Sequence, residues 1–146
     1  MGGRADLRMR ASAAAHKILV VDDQPAFRTL LRKMLARAGY AVEEAGSAPE
    51  AHTAIQKLRG EVALAIIDMI MPGASGLDLA SELARDFPHI QIIYMSGCRD
   101  SLAMDVIARR SPESVLLKPF TQAELIVRVQ TLLAPGGQSG PPTPKP

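Results

Sequence analysis

The stretch Ala65-Ile66-Ile67-Asp68-Met69-Ile70-Met71-Pro72-Gly73-Ala74-Ser75-Gly76 carries one carboxylate to the end of an apolar run and then stops it with a Pro/Gly/Ser turn. The run from Val62 to Ile67 reads as a buried strand, and the turn opens a helix. Open α/β sheets bind ligands outside the carboxyl ends of their strands. Asp68 is therefore better placed for chemistry than for packing, and it reads as a phosphoryl acceptor.

The same pattern recurs on both sides of this stretch. Lys17 to Val21 is short, apolar and β-branched, the mark of a central strand covered on both faces, and Asp22 and Asp23 follow it directly. Pro25 suits the first turn of a helix. Phe27, Leu30, Leu31, Met34, Leu35 and Ala38 then make one apolar face, ended by Gly39. Tyr40 to Glu44 is a more polar strand, expected near an edge. Ser47 and Glu50 form a capping box for a second helix, with Ala51, Ala54, Ile55 and Leu58 inward before Gly60. Past Asp68, Ser75 and Asp78 cap a third helix, with Leu79, Leu83 and Phe87 facing the core. Ile90 to Met95 is the fourth strand, ending at Ser96-Gly97. A weaker helix is expected over 99–110, then a strand from Ser114 to Leu117 that runs into Lys118-Pro119. Thr121 and Glu124 cap the last helix, which buries Leu125, Ile126, Val129, Leu132 and Leu133.

Alternation of strand and helix with short connections predicts a doubly wound five-stranded parallel sheet with helices on both faces. The domain is expected over 16–133. Residues 1–15 and the tail 134–146, with five prolines and three glycines, lack the apolar groups to fold and are expected to be disordered. At 146 residues and 47% hydrophobic content the chain supports one domain. Its formal charge of +2 belongs to the ends: residues 17–133 sum to −1. Nucleic-acid binding is therefore not expected. A single cysteine, Cys98, excludes an internal disulfide and fits a reducing compartment. No apolar run reaches the roughly 18 residues of a membrane span, and no signal peptide is evident. The expectation is a cytoplasmic protein with no membrane partner.

In a parallel sheet the carboxyl ends of the strands all face one way, so Asp22, Asp23, Asp68, Ser96 and Lys118 are expected to converge. Three close carboxylates repel one another unless a cation joins them. All-oxygen ligation suits Mg²⁺. A carboxylate can attack phosphorus to give an aspartyl phosphate, with Lys118 as a point charge on a phosphoryl oxygen and Ser96 as a hydroxyl donor. His16, His52 and His89 lack ligand spacing. Met69, Met71 and Cys98 read as packing.

The pieces Asp22-Asp23, Asp68-Met69 with Met71-Pro72 and Gly76, Ser96-Gly97, and Lys118-Pro119-Phe120 resemble the receiver domain of two-component response regulators, over residues 17–133. The resemblance implies a flavodoxin-like sheet of order 2-1-3-4-5 and phosphotransfer from a sensor histidine kinase to Asp68. It further implies Mg²⁺ held by Asp23 directly, Asp22 through water, Asp68 and the backbone carbonyl of Ile70. Ser96 becomes the switch hydroxyl, and the Lys118-Pro119 bond is expected to be cis. Two positions depart from the pattern. Val115 stands where the family often has a swinging aromatic ring, so switching is expected to rest on Ser96 and the helix after it. Ile70 has no polar side chain to hold an attacking water, so self-dephosphorylation is expected to be slow.

The expected output is altered binding of an unidentified downstream protein, or onward relay of the phosphoryl group, since residue 133 is followed only by the short tail. The Tyr94-Met95-Ser96-Gly97 and Lys118-Pro119-Phe120-Thr121 runs look most like receivers attached to hybrid kinases. A phosphatase of the haloacid-dehalogenase type is disfavoured, because it needs a second Asp where Ile70 stands. The remaining alternative is a phosphorylation-independent interaction module on the same fold.

Overall fold

The computed structural model describes residues 17–71, 73–97, 107–109 and 111–134. In chain order the elements are β1 (Lys17–Val21), α1 (Pro25–Arg37), β2 (Ala41–Ala45), α2 (Ala48–Lys57) and β3 (Leu64–Asp68). A two-residue pair follows, β4 (Ile70–Met71) and β5 (Ala74–Ser75), then α3 (Gly76–Asp86), β6 (Gln91–Ser96), β7 (Val115–Leu117) and α4 (Gln122–Leu133). A 3-10 turn over Pro112–Ser114 leads into β7. The main sheet has the order β2-β1-β3-β6-β7, every neighbouring pair parallel. This is the expected doubly wound order, with the β4–β5 ribbon inserted.

Successive strand residues point to opposite faces, and β1 and β3 use both. Leu19, Val21, Ala65 and Ile67 pack with Ala51 and Ile55 of α2 and Leu79 and Leu83 of α3. Ile18, Val20, Leu64 and Ile66 pack with Leu31 and Leu35 of α1 and Leu125, Val129 and Leu132 of α4. Each fully buried Leu or Ile contributes about 1.5–3 kcal/mol, and the two-sided burial of β1 and β3 places them at the centre of the sheet. Among the described residues, no helix is long and apolar enough to cross a membrane.

Local chemistry sets the helix ends. Ser47 accepts from the Glu50 amide, and Thr121 accepts from the Glu124 amide. The Ser75 hydroxyl accepts from the Leu77 amide, one residue earlier than the expected Asp78. Two expectations change in detail. Leu30, placed on the buried face of α1, is 46% exposed, because Leu31 and Leu35 take the centre of the stripe and Leu30 falls on its flank. The antiparallel β4–β5 ribbon was not expected: Gly73, at φ 76°, turns the chain back so that Ile70 pairs with Ser75 and Met71 with Ala74. The helix expected over 99–110 lies mostly outside the described residues, as do Cys98, Pro72 and both chain ends. Of that helix, 107–109 are helical.

The ribbon returns α3 so close to Asp68 that only glycine fits at its first position. A Cβ on Gly76 would fall inside contact distance of the Asp68 carbonyl oxygen, and within 2.9 Å of the Met69 Cα. Gly76→Ala is expected to cost about 2–3 kcal/mol, the usual penalty of forcing atoms into a packed backbone. Urea denaturation reads it, and an unchanged midpoint would contradict this account of the turn.

Candidate functional site

Asp22 lies just past the end of β1, and its backbone is tied on both sides. Its amide donates to the Ala45 carbonyl of β2 at 3.1 Å. Its carbonyl accepts from Arg28 Nη1 at 2.7 Å, and the same guanidinium bonds Glu44 through Nε at 3.2 Å. The Asp22 carboxylate is completely buried. Its Oδ1 accepts from the Gln24 amide at 2.8 Å, which shapes the turn into α1.

Asp68 is the last residue of β3, opposite Met95 of β6. Its Oδ1 accepts from the Ile70 amide at 3.1 Å. Lys118, 96 positions from Asp22, follows β7 and donates its ammonium to both acids. Nζ stands 3.0 Å from Asp22 Oδ2 and 3.4 Å from Asp68 Oδ2. The Lys118 amide donates to the Ser96 carbonyl at 2.8 Å, so the end of β7 is hung on the end of β6. Ser96 is buried, 2% exposed, and the Lys118-Pro119 peptide bond is cis.

Carboxylate oxygens of Asp22, Asp23 and Asp68 all lie within 4.8 Å of one another. Three carboxylates against one ammonium leave an excess of about two negative charges. An all-oxygen donor set with that excess matches a hard divalent cation, which takes carboxylates, carbonyls and waters together. The Asp68 carboxyl titrates above its ordinary value. Burial is the main cause, with the Asp22 charge adding to it; the Ile70 amide and the Lys118 ammonium pull the other way.

The expected residues thus converge as the strand ends require. Ile70 is 68% exposed and Val115 is buried, at 8%. What the sequence did not single out is the support around them. The sequence pattern gives Arg28 no role and Phe27 only a place in the core. The Phe27 ring lies 4.3 Å from Lys118 Nζ, and it meets Phe120 edge to face with centroids 5.7 Å apart. Arg28, five residues past Asp23, gives no sign of its bond to the Asp22 carbonyl, because that partner is fixed only when β2 lies alongside β1.

A carboxyl whose folded value is raised stabilises the fold fully below its unfolded value and loses that contribution as pH rises through the folded one. At pH 7 ionised Asp68 is therefore a cost to the fold. In metal-free buffer Asp68→Asn is expected to raise Tm by a few degrees at pH 7, with the gap narrowing as pH falls below the Asp68 titration. Calorimetric melting across pH checks this. A lower Tm for Asp68→Asn at pH 7 would reverse the electrostatic account.

Comparison with known proteins agrees with this geometry. The family model described as the response regulator receiver domain matches residues 18–130. The sensor kinase CckA of Brucella abortus (strain 2308) is 35% identical over 120 residues, covering 80% of this chain and 12% of that protein. The transcriptional regulatory protein ResD of Bacillus subtilis (strain 168) is 31% identical over 123 residues, 84% of this chain and 50% of that one. The chain thus spans about half or less of the length of these curated relatives. Among solved structures, the response regulator protein TrrA from Thermotoga maritima, in complex with Mg(2+)-BeF, superposes with a TM-score of 0.69 at 32% identity. That match covers 80% of this chain and 98% of that one. The receiver domain protein from Clostridium thermocellum gives a TM-score of 0.70 at 27% identity, over 81% and 94%. With the family model covering most of its length and the acid cluster assembled at the strand ends, this chain belongs to the response regulator receiver domain family of two-component signalling.

Proposed function

We propose that Asp68 is the phosphoacceptor of this receiver, taking a phosphoryl group from a sensor histidine kinase. The observation that supports the reading is the bridge from Lys118 to both Asp22 and Asp68, beside a cluster of three carboxylates close enough to share a cation. By its resemblance to other receivers, Asp23 would be the direct ligand of Mg²⁺, with Asp22 acting mainly through water and Asp68 and the Ile70 carbonyl completing the protein's share. Mg²⁺ bound there offsets the charge that gathers on the phosphoryl oxygens. The Asp68 oxygen attacks phosphorus as the bond from phosphorus to the kinase's histidine nitrogen breaks and the imidazole leaves with the electron pair, while Lys118 turns its ammonium to a phosphoryl oxygen and Ser96 at the end of β6 donates its hydroxyl to another.

Phosphorylation replaces the carboxylate charge at the end of β3 by an acyl phosphate carrying about two negative charges, and the group that answers it moves the surface. With Val115 where a swinging ring is usual, the readout falls to Ser96 and the chain after it. The downstream partner is a protein, either an effector or the next carrier in a phosphorelay. The rival reading, an interaction module that is never phosphorylated, assigns no purpose to the Lys118 bridge.

The test is intact mass after incubation with acetyl phosphate. One phosphoryl group should be gained, requiring both Mg²⁺ and Asp68 and absent in Asp68→Asn. A folded, Mg²⁺-binding protein that gains nothing from acetyl phosphate or from histidine kinases would hand the case to the interaction module.

Once formed, the acyl phosphate should be long-lived, because an exposed Ile70 side chain cannot hold a water in line. Ile70→Asn supplies an amide that can, and is expected to speed hydrolysis roughly 3- to 10-fold by orientation alone, read from the decay of the phosphorylated mass. An equal or slower decay would remove Ile70 from the explanation.

A further inference from the structure

We propose that Phe27 is a positioning residue for Lys118, an aromatic seat that holds the ammonium between Asp22 and Asp68 without neutralising it. The proposal rests on the phosphoacceptor reading of Asp68 and deepens it.

An ammonium has three N–H donors and no acceptor. At Lys118 two of them point to Asp22 Oδ2 and Asp68 Oδ2. Nζ also stands over the Phe27 ring, 4.3 Å from its centroid. The side chain is only 22% exposed, so water is a limited substitute for these neighbours. A ring face attracts a cation through its quadrupole, yet carries no charge of its own. A third carboxylate in that place would hold Lys118 more tightly and cancel the charge a phosphoryl oxygen needs. An aliphatic residue would leave the ammonium poorly solvated on that side. Phe27 avoids both faults.

The ring is itself held. Phe27 sits in the first turn of α1, and Phe120, two residues past Lys118, meets it edge to face at 70°. Both rings pack against the core beneath α1 and α4. The ring beside Lys118 is thereby held in place by a second ring from the turn that follows Lys118.

In the reaction affected, a bond forms between an Asp68 carboxylate oxygen and phosphorus while the bond from phosphorus to the acetate oxygen breaks. Acetate leaves with the electron pair, and nothing is oxidised or reduced. Lys118 stabilises the transferring oxygens only if its charge is already in place.

The experiment compares wild type with Phe27→Leu, Phe27→Met, which refills the volume with a flexible chain, and Phe27→Tyr, which keeps the ring. The rate of phosphorylation by acetyl phosphate is measured at saturating Mg²⁺. Mg²⁺ affinity by calorimetry and Tm are measured alongside. Phe27→Leu and Phe27→Met are expected to slow the reaction about 3- to 10-fold, with Phe27→Tyr within twofold of wild type and Mg²⁺ affinity unchanged in all.

A direct readout of the contact is the NMR shift of the Lys118 Cε protons. Ring current should move it upfield in wild type and Phe27→Tyr, and the displacement should vanish in the Leu and Met variants. If the aliphatic variants react at the wild-type rate, or if Phe27→Tyr is slowed as much as they are, the inference falls while the phosphoacceptor reading stands. A normal lysine shift in wild type also overturns it. If wild type itself gains no phosphoryl group, the phosphoacceptor reading is what fails, and the Lys118 shift still reports whether the seat exists.

Discussion

Three carboxylates within 4.8 Å of one another repel strongly at the edge of a low-dielectric core. Lys118 relieves part of that repulsion by standing between Asp22 and Asp68, and much of the structure serves to bring it there. Burial still raises the Asp68 titration, so relief is incomplete. A pocket left short of positive charge attracts a divalent cation, and the same shortage primes it to respond when a phosphoryl group arrives.

Precision at such a site comes from the backbone beneath it. The Asp22 peptide is pinned at its amide by Ala45 and at its carbonyl by Arg28, and Arg28 is itself steadied by Glu44. Glu44 also pairs with Arg32 at 3.0 Å, so α1 is fastened to β2 twice. On the other side, the β4–β5 ribbon and the missing side chain of Gly76 let α3 close against the Asp68 carbonyl. Surface ion pairs alone contribute little to stability. Here their value lies in fixing the direction of a carboxylate.

The two positions that depart from the family pattern act on different stages. Ile70 is exposed two residues past Asp68, and in the proposed function it bears on how long a phosphoryl group lasts. Val115 is buried on β7 opposite Tyr94, and in the proposed function it bears on how that group's presence is felt elsewhere. Ile70 meets the acids only through its backbone, whose amide donates to Asp68 Oδ1, so the pocket assembles whatever side chain stands there.

The sequence by itself determined the alternation of elements, the two-faced burial of β1, and the placement of Asp22, Asp23, Asp68, Ser96 and Lys118 at strand ends. These follow from short-range rules: apolar runs of strand length, caps such as Ser47 and Thr121, and the common direction of parallel strands. The exposure of Leu30 was not legible, because periodicity gives a helix a face but not the exact line along which a neighbour packs. The ribbon after Asp68 was missed because a two-residue pairing has no period to detect. Only the tertiary structure decided that Arg28 would hold the Asp22 carbonyl and that Phe27 would lie against Lys118. The first contact is steadied by Glu44 of β2, and the second brings together residues 91 positions apart; both are chosen by how β2 and the end of β7 are placed in the sheet, which no local pattern encodes.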